Sequence, residues 1–173
     1  VPKMAITKVR FEQGVTQDNQ GEVIESVNVL PDEVLAHRLA MVPVPTFLDE
    51  FVFPEDDPNN ENLPEDQWGS PMSQIIYHLS IRGPNSDSDE EFKTVYAGDL
   101  NVLGETKLQI KDEHKRIPLT ILSSGQYLEL YAYATLGRGR DHAKWCPAAA
   151  VTFQPRQKAT LAKPKKAKVL FDL

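Results

Sequence analysis

Apolar and polar positions alternate with a period of two in several stretches of this chain and fall into a helical stripe in one. The clearest alternation is Gln74 to Arg82, where Ile75, Tyr77, Leu79 and Ile81 point one way and Ile76, His78, Ser80 and Arg82 the other. That pattern predicts a half-buried strand. The longest is Gln126 to Leu136, with Leu128, Leu130, Ala132 and Ala134 on one face and Tyr127, Tyr131 and Tyr133 on the other. Such a tyrosine row reads as sheet packing ahead of a stacking platform for bases or a cofactor. Lys3 to Glu12 is a strand whose phase slips. Met4 and Ile6 share a face and Val9 and Phe11 take the opposite one, which predicts a bulge near Thr7-Lys8. A polar loop over 13–22 precedes a return strand over 23–29. Further strands are expected over 94–103, with a bulge at Gly98-Asp99, and over 117–122, closed by a turn at Ser123-Ser124-Gly125. Leu108 and Ile110 suggest a short strand inside the polar link 104–116. Ala148 to Phe153 reads as a packed apolar strand or its lead-in, and 168–173 as a final strand.

One segment has helical rather than strand periodicity. Pro31 to Met41 opens with a proline suited to a first turn and with Asp32 and Glu33 at the positive end of the dipole. Val34, Leu35 and Leu39 form its apolar stripe, Arg38 sits near the negative end, and Pro43 ends it. His37 within it reads as a packed or hydrogen-bonded histidine. The stretch from Phe47 to Asp66 is acidic and proline-rich and lacks a calcium-loop pattern. It is expected to be a solvated, mobile excursion pinned by Phe51, Phe53 and Trp68. The fold class is therefore α+β and β-rich, with one principal helix near 31–41.

Composition narrows the function classes. The 173 residues suffice for one domain with a real core, or a domain plus an arm. The net charge of −6 implies no general nucleic-acid surface. The tail is locally basic, with Arg156, Lys158, Lys163, Lys165, Lys166 and Lys168, and reads either as a nucleic-acid contact or nuclear signal, or as a solvated linker. The single cysteine, Cys146, excludes an internal disulfide and fits a reducing compartment. Alone, it supplies no zinc or iron–sulfur site. No apolar run is long enough to span a bilayer, and no signal segment opens the chain. The first residue is valine, which suggests a cut or processed fragment.

The densest chemistry lies in 136–153, Leu-Gly-Arg-Gly-Arg-Asp-His-Ala-Lys-Trp-Cys-Pro-Ala-Ala-Ala-Val-Thr-Phe. One reading is an active-site loop with His142 as base, and the other a rigid docking loop. The second is favoured, because no nucleophile or paired carboxylate stands at a fixed local spacing from His142. Cys146 is four residues away, abuts Pro147 and lacks an orienting third group. Gly137-x-Gly139 lacks the third glycine of a phosphate loop. In the docking reading Trp145 is largely buried, Asp141 or His142 bonds nearby backbone, and Arg138, Arg140 and Lys144 point outward.

This stretch also resembles the corresponding loop of the alpha-like subunits of multisubunit RNA polymerases, a family that comprises the D-type polypeptide of the archaeal enzyme and the third-largest polypeptide of eukaryotic RNA polymerase II. Three other blocks agree in order: 30–44, Val95-Tyr-Ala-Gly-Asp-Leu100, and the opening Val1-Pro-Lys-Met-Ala-Ile6. The resemblance implies that residues 1–155 are the mostly β domain inserted in the family's dimerisation domain, with the acidic excursion at 47–70. Residues 156–173 would be a basic linker and strand leading back to that dimerisation domain. It also implies an upstream strand and helix with an Asn-Ala-Leu-Arg-Arg type motif. The function implied is that of a non-catalytic assembly subunit. Its partners would be a smaller alpha-like subunit (the archaeal L type), the second-largest polymerase subunit and small zinc-bearing subunits. Docking residues would be Arg138, Arg140, Asp141, His142, Lys144 and Trp145 on the loop, with His37 and Arg38 on the helix. No catalytic residue, cofactor, metal, membrane or sequence-specific nucleic-acid contact is expected. The location would be cytoplasmic for an archaeal-type source and nuclear for a eukaryotic or nuclear-replicating viral one. Rival readings are a small hydrolase using His142 and a basic-tail nucleic-acid binder, the latter marked by steep salt dependence.

Overall fold

The computed structural model describes residues 1–12, 15–17, 23–25, 30–85 and 90–157. Among these the chain is one α-helix with antiparallel sheets. The strands are β1 (Lys3–Phe11), β2 (Val15–Gln17), β3 (Val23–Glu25), β4 (Gln74–Arg82), β5 (Phe92–Tyr96), β6 (Asn101–Val102), β7 (Pro118–Ser123) and β8 (Tyr127–Gly137); the helix is α1 (Asp32–Ala40). The expected fold class holds. Parts of the expected loop over 13–22 and of the return strand over 23–29 lie outside the described residues. The lysine-rich tail and final strand lie outside them too.

The main sheet has the order β1-β8-β4-β6, and every pairing is antiparallel. The longest alternating stretch thus becomes an interior strand, hydrogen-bonded on both sides. Its register with β4 sets Ile75, Tyr77, Leu79 and Ile81 opposite Ala134, Ala132, Leu130 and Leu128, so the two apolar rows share one face. The pairing of β1 with β8 shifts between Ile6 and Lys8, where the phase slip predicted a bulge. Before the shift Met4 and Ile6 are buried, and after it Val9 and Phe11 pack at the core margin.

Helix α1 lies against β1 and β7. Leu35 and Leu39 enter the core, and Pro31 occupies the N-cap position, its carbonyl accepting from the N–H groups of Val34 and Leu35. Two helical expectations need correction. Val34 is exposed, because the stripe that meets the sheet is narrower than the apolar sequence around it. His37 is exposed as well, on the solvent side of the helix, and so is not a packed histidine.

Strand β5 pairs with β7 in a two-stranded ribbon, and Val95, Leu119 and Leu122 join the same core as the main sheet. The expected strand over 94–103 is therefore two strands in different sheets. At 97–99 the chain makes a 3-10 turn, closed by Asp99 accepting from the Tyr96 N–H at 2.8 Å, and β6 then pairs with β4. What reads as a bulge is a corner. Leu108 and Ile110 are buried without forming a strand: Thr106–Leu108 is a 3-10 turn whose Leu108 carbonyl accepts from the buried Tyr77 hydroxyl at 2.7 Å.

The acidic excursion is folded into turns held by hydrogen bonds. Three 3-10 turns, at 54–56, 58–60 and 65–67, fold around Asp57, which is 2% exposed. Asp57 accepts from the Ser70 hydroxyl and, at 2.9 Å each, from the backbone and side-chain N–H groups of Asn59. Asn60 donates to the Pro54 carbonyl at 2.8 Å. Hydrogen bonds from Ser70, then Ser73 and Asn59, pull the Asp57 carboxyl down to about 2. Eight acidic residues hide one that is structural, and acidic composition does not mark which. Phe51 is buried at the start of the excursion, and Trp68 donates its ring N–H to the Leu63 carbonyl at 2.9 Å.

Candidate docking site

The loop after β8 is shaped by an aromatic ring lying on a glycine. Trp145 closes a short 3-10 turn, Ala143–Trp145, and its ring N–H donates to the Thr135 carbonyl at 3.2 Å. A Cβ placed on Gly137 would lie 2.1 Å from Trp145 Cε2, so only glycine leaves room for the ring. Trp145 is half-buried, less than the sequence suggested, because it covers the end of the sheet instead of entering the core.

The polar residues split into those that hold the loop and those it displays. The Arg138 carbonyl accepts from the Asp141 N–H at 2.9 Å and the His142 N–H at 3.4 Å. His142 Nδ1 accepts from the Lys144 N–H at 3.0 Å and caps the turn, the backbone bond expected of Asp141 or His142. Asp141 pairs instead with Arg140 Nε at 3.4 Å. The Arg138 guanidinium lies 4.0 Å above the Phe53 ring, tying the loop to the edge of the acidic excursion. Arg140 extends into solvent. Lys144 does not: its Nζ sits 4.5 Å over the Trp145 ring, and burial pushes its ammonium below the ordinary lysine value. The Lys144 carbonyl accepts from Lys3 Nζ at 3.5 Å.

His142 and Cys146 are not joined by a hydrogen bond, since the Cys146 thiol donates to the Ala148 carbonyl at 3.0 Å. Among the described residues no group of three His, Cys, Asp or Glu side chains converges as a metal site would require. His37 and Arg38 stand apart from the loop. Arg38 Nη2 donates to the Pro118 carbonyl at 2.9 Å and fastens α1 to β7. Two participants were not foreseen in the loop's sequence, Phe53 and Thr135, because both lie in other elements and meet it only in three dimensions. Ala148 to Phe153 is the largest departure: it forms no strand, and Val151 and Phe153 are 79% and 92% exposed.

A second polar cluster covers the open face of the main sheet. Tyr131 stacks on His78 at 4.6 Å and under Arg10 at 4.9 Å, while Lys8 and Arg82 lie over Tyr133 and Tyr127. Glu129 accepts from the Tyr127 hydroxyl at 2.6 Å and contacts His78 Nε2 at 3.0 Å; both interactions lower its carboxyl, Tyr127 more. Each of these tyrosines carries a cation of the same chain.

No protein-family model matches the chain. Three archaeal proteins named DNA-directed RNA polymerase subunit Rpo3 do show sequence similarity. That of Pyrococcus furiosus is 34% identical over 147 residues, 85% of this chain and 43% of its own length. That of Picrophilus torridus is 30% identical over 154 residues, 89% of this chain and 51% of its own. That of Pyrobaculum islandicum is 36% identical over 137 residues, 79% of this chain and 47% of its own. Over this span the chain is similar to polymerase subunits named Rpo3. It covers about half the length of these relatives or less.

Proposed function

We propose that the chain is a non-catalytic assembly subunit of a DNA-directed RNA polymerase, contributing the inserted domain, with residues 1–155 as that domain. It pairs, through the rest of the subunit, with a smaller alpha-like subunit and docks the second-largest subunit and small zinc-bearing subunits. The observation that carries this reading is the loop 137–147. Its shape is set by Trp145 on Gly137, and it holds Arg138 and Arg140 at the surface. A pre-shaped loop loses little entropy on binding, and arginines are favoured anchors at protein interfaces. The similarity to subunits named Rpo3 supports the polymerase context. Polymerase chemistry uses carboxylates gathered around metal ions, whereas the carboxylate with the clearest role here, Asp57, is committed to serines and an asparagine. No helix among the described residues is long and apolar enough to cross a membrane, and in an archaeal-type cell the proposed site of action is the cytoplasm.

The test is the paired change Arg138→Ala with Arg140→Ala, in the chain co-expressed with the remaining polymerase subunits. Both side chains are exposed, and the stacking lost over Phe53 is worth about 1 kcal/mol or less, so the unfolding temperature should barely move. Recovery of the large subunits with the variant should fall about tenfold. Normal assembly by the double variant would refute the docking role of the loop.

A further inference from the structure

Of the cations lying over aromatic rings among the described residues, the Arg138 guanidinium lies closest. It is 4.0 Å from the Phe53 centroid, against 4.5 Å for Lys144 over Trp145 and 4.9 Å for Arg10 over Tyr131. A guanidinium comes that near with its plane along the ring; an N–H pointed at the ring would hold the carbon farther off. Both ends of the arrangement are fixed. At the root, the Arg138 carbonyl accepts from the Asp141 N–H at 2.9 Å, and Gly137 before it lies under the Trp145 ring. At the tip, Phe53 packs at the core margin, and its carbonyl accepts from the Asp56 N–H at 3.0 Å as the 54–56 turn begins. An arginine side chain held in this way has given up much of its rotamer freedom before anything binds.

The held guanidinium keeps its donors. Among the described residues the Arg138 side chain makes no hydrogen bond and no ion pair, and the residue is exposed. Glu55 and Asp56 stand in the turn that Phe53 opens, both exposed, and neither pairs with it. Arg140 differs on each count. Its side chain is 82% exposed, lies over no ring among the described residues, and is joined to Asp141 at 3.4 Å. An exposed pair of sequence neighbours fixes little.

We propose that Arg138 is the specificity-determining residue of the docking loop. Laid along Phe53, its guanidinium takes one carboxylate of the docked polymerase subunit through two parallel N–H···O bonds, and Phe53 is the residue that positions it. This deepens the assembly role above and rests on it. Stacking covers a face of the guanidinium and leaves its N–H edge, which matches a carboxylate in shape. Glu55 and Asp56 beside Phe53, with Asp141 on the loop, favour one carboxylate over a nucleic-acid backbone, whose phosphates would set several like charges against these acids. Arg140 contributes attraction at a distance, for which any cation serves.

Conservative variants in the chain, co-expressed with the remaining polymerase subunits, test this. Arg138→Lys keeps the charge and loses the fork, so recovery of the large subunits should fall about tenfold. Arg140→Lys should recover them as wild type does. Phe53→Leu should lower recovery about threefold, and Phe53→Tyr should restore it. Proton NMR of the unassembled chain reads the positioning directly. The ring current of Phe53 should move the Arg138 side-chain N–H upfield in wild type and Phe53→Tyr but not in Phe53→Leu. Should Phe53→Leu fail to fold, Arg138→Lys, whose side chain is outside the core, still decides. Wild-type recovery with Arg138→Lys, or an equal loss with Arg140→Lys, would overturn the proposal. So would a Phe53→Leu variant that folds, loses the upfield shift and recovers the subunits unchanged. A carboxylate in the rest of the same polypeptide would show as a lower unfolding temperature of the whole unassembled subunit in Arg138→Lys with recovery unchanged. A nucleic-acid partner would show as recovery abolished by nuclease. Either result overturns the proposal. If the paired alanine variant fails to assemble while Arg138→Lys matches wild type, the docking loop stands and the fork is lost. If the paired alanine variant assembles normally, the docking role fails and the fork with it.

Discussion

Trp145 and Gly137 act as one unit, since the space that the missing side chain leaves is the space the ring fills. Trp145→Ala should cost about 2 kcal/mol, less than the ~3–5 kcal/mol of a fully buried ring. Gly137→Ala should cost roughly 1–3 kcal/mol by driving the ring off the sheet end. The two changes should be strongly non-additive: once the indole is gone, the new methyl group meets little. A double-mutant cycle by denaturant unfolding checks this, and a coupling energy near zero would show that the ring does not depend on the glycine. Asp57 is a second residue whose role exceeds its type. Its carboxyl is pulled from 3.8 to about 2 in the folded chain, so its contribution is complete above about pH 4 and disappears as pH falls towards 2. Asp57→Asn should unfold at a lower temperature than wild type near neutral pH. The difference should narrow through this acid window, as thermal scans at a series of pH values would show.

At the level of elements, the meeting of β4 with the β7–β8 hairpin is the tightest backbone approach at any described glycine. The Gly83 N–H donates to the Gln126 carbonyl at 2.8 Å, and a Cβ on Gly83 would lie 1.9 Å from the Ser123 carbonyl oxygen. Gly125, in the hairpin itself, has φ 76° and nothing within 4 Å of its would-be Cβ. Gly83→Ala should therefore cost about 3 kcal/mol by prising the strands apart, and Gly125→Ala only about 1 kcal/mol of backbone strain. Equal losses in urea unfolding would contradict this reading of the junction. The excursion over 47–73 follows the same logic. It is held by one buried carboxylate, two asparagines and two serines, with Lys107 bonding Glu50 at 2.7 Å to fasten its start to the 106–108 turn.

In the molecule as a whole, a four-stranded sheet, a two-stranded ribbon and a helix share one core, and long-range polar contacts lock their relative positions. The Tyr77 hydroxyl on β4 bonds the Leu108 carbonyl of the 104–116 link, and burial raises its pKa well above the ordinary tyrosine value. Tyr77→Phe should cost about 1–2 kcal/mol, because the Leu108 carbonyl is left without its donor. Chemical unfolding measures this directly, and a neutral substitution would mean that the link is held by Leu108 and Ile110 packing alone. The charged loop predicts a property of the assembly as well. If Arg138 and Arg140 dock on carboxylates, recovery of the other subunits should fall as salt is raised, and should lose that dependence in the double alanine variant.

Gln74 to Arg82 and Gln126 to Leu136 could be read from the order of residues because a period of two has one physical solution beside a core. The β1 bulge followed from its phase slip, and the helix from its caps and stripe. The loop at 137–147 was recognisable because glycines, a tryptophan and clustered charge stand within eleven residues. Other features were decided only by tertiary structure. The 97–99 corner reads as a bulge until β5 and β6 are seen to choose different partners. Asp57 is one acid among many until Ser70 and Ser73, far along the chain, enclose it. Phe53 joins the 137–147 loop only by lying under Arg138. Ala148 to Phe153 has the composition of a packed strand, yet strand propensity supplies no partner. With both sides of β8 taken, the segment stays in solvent. Local pattern sets which conformations are favourable; which surfaces remain free to accept them depends on contacts between residues distant in sequence.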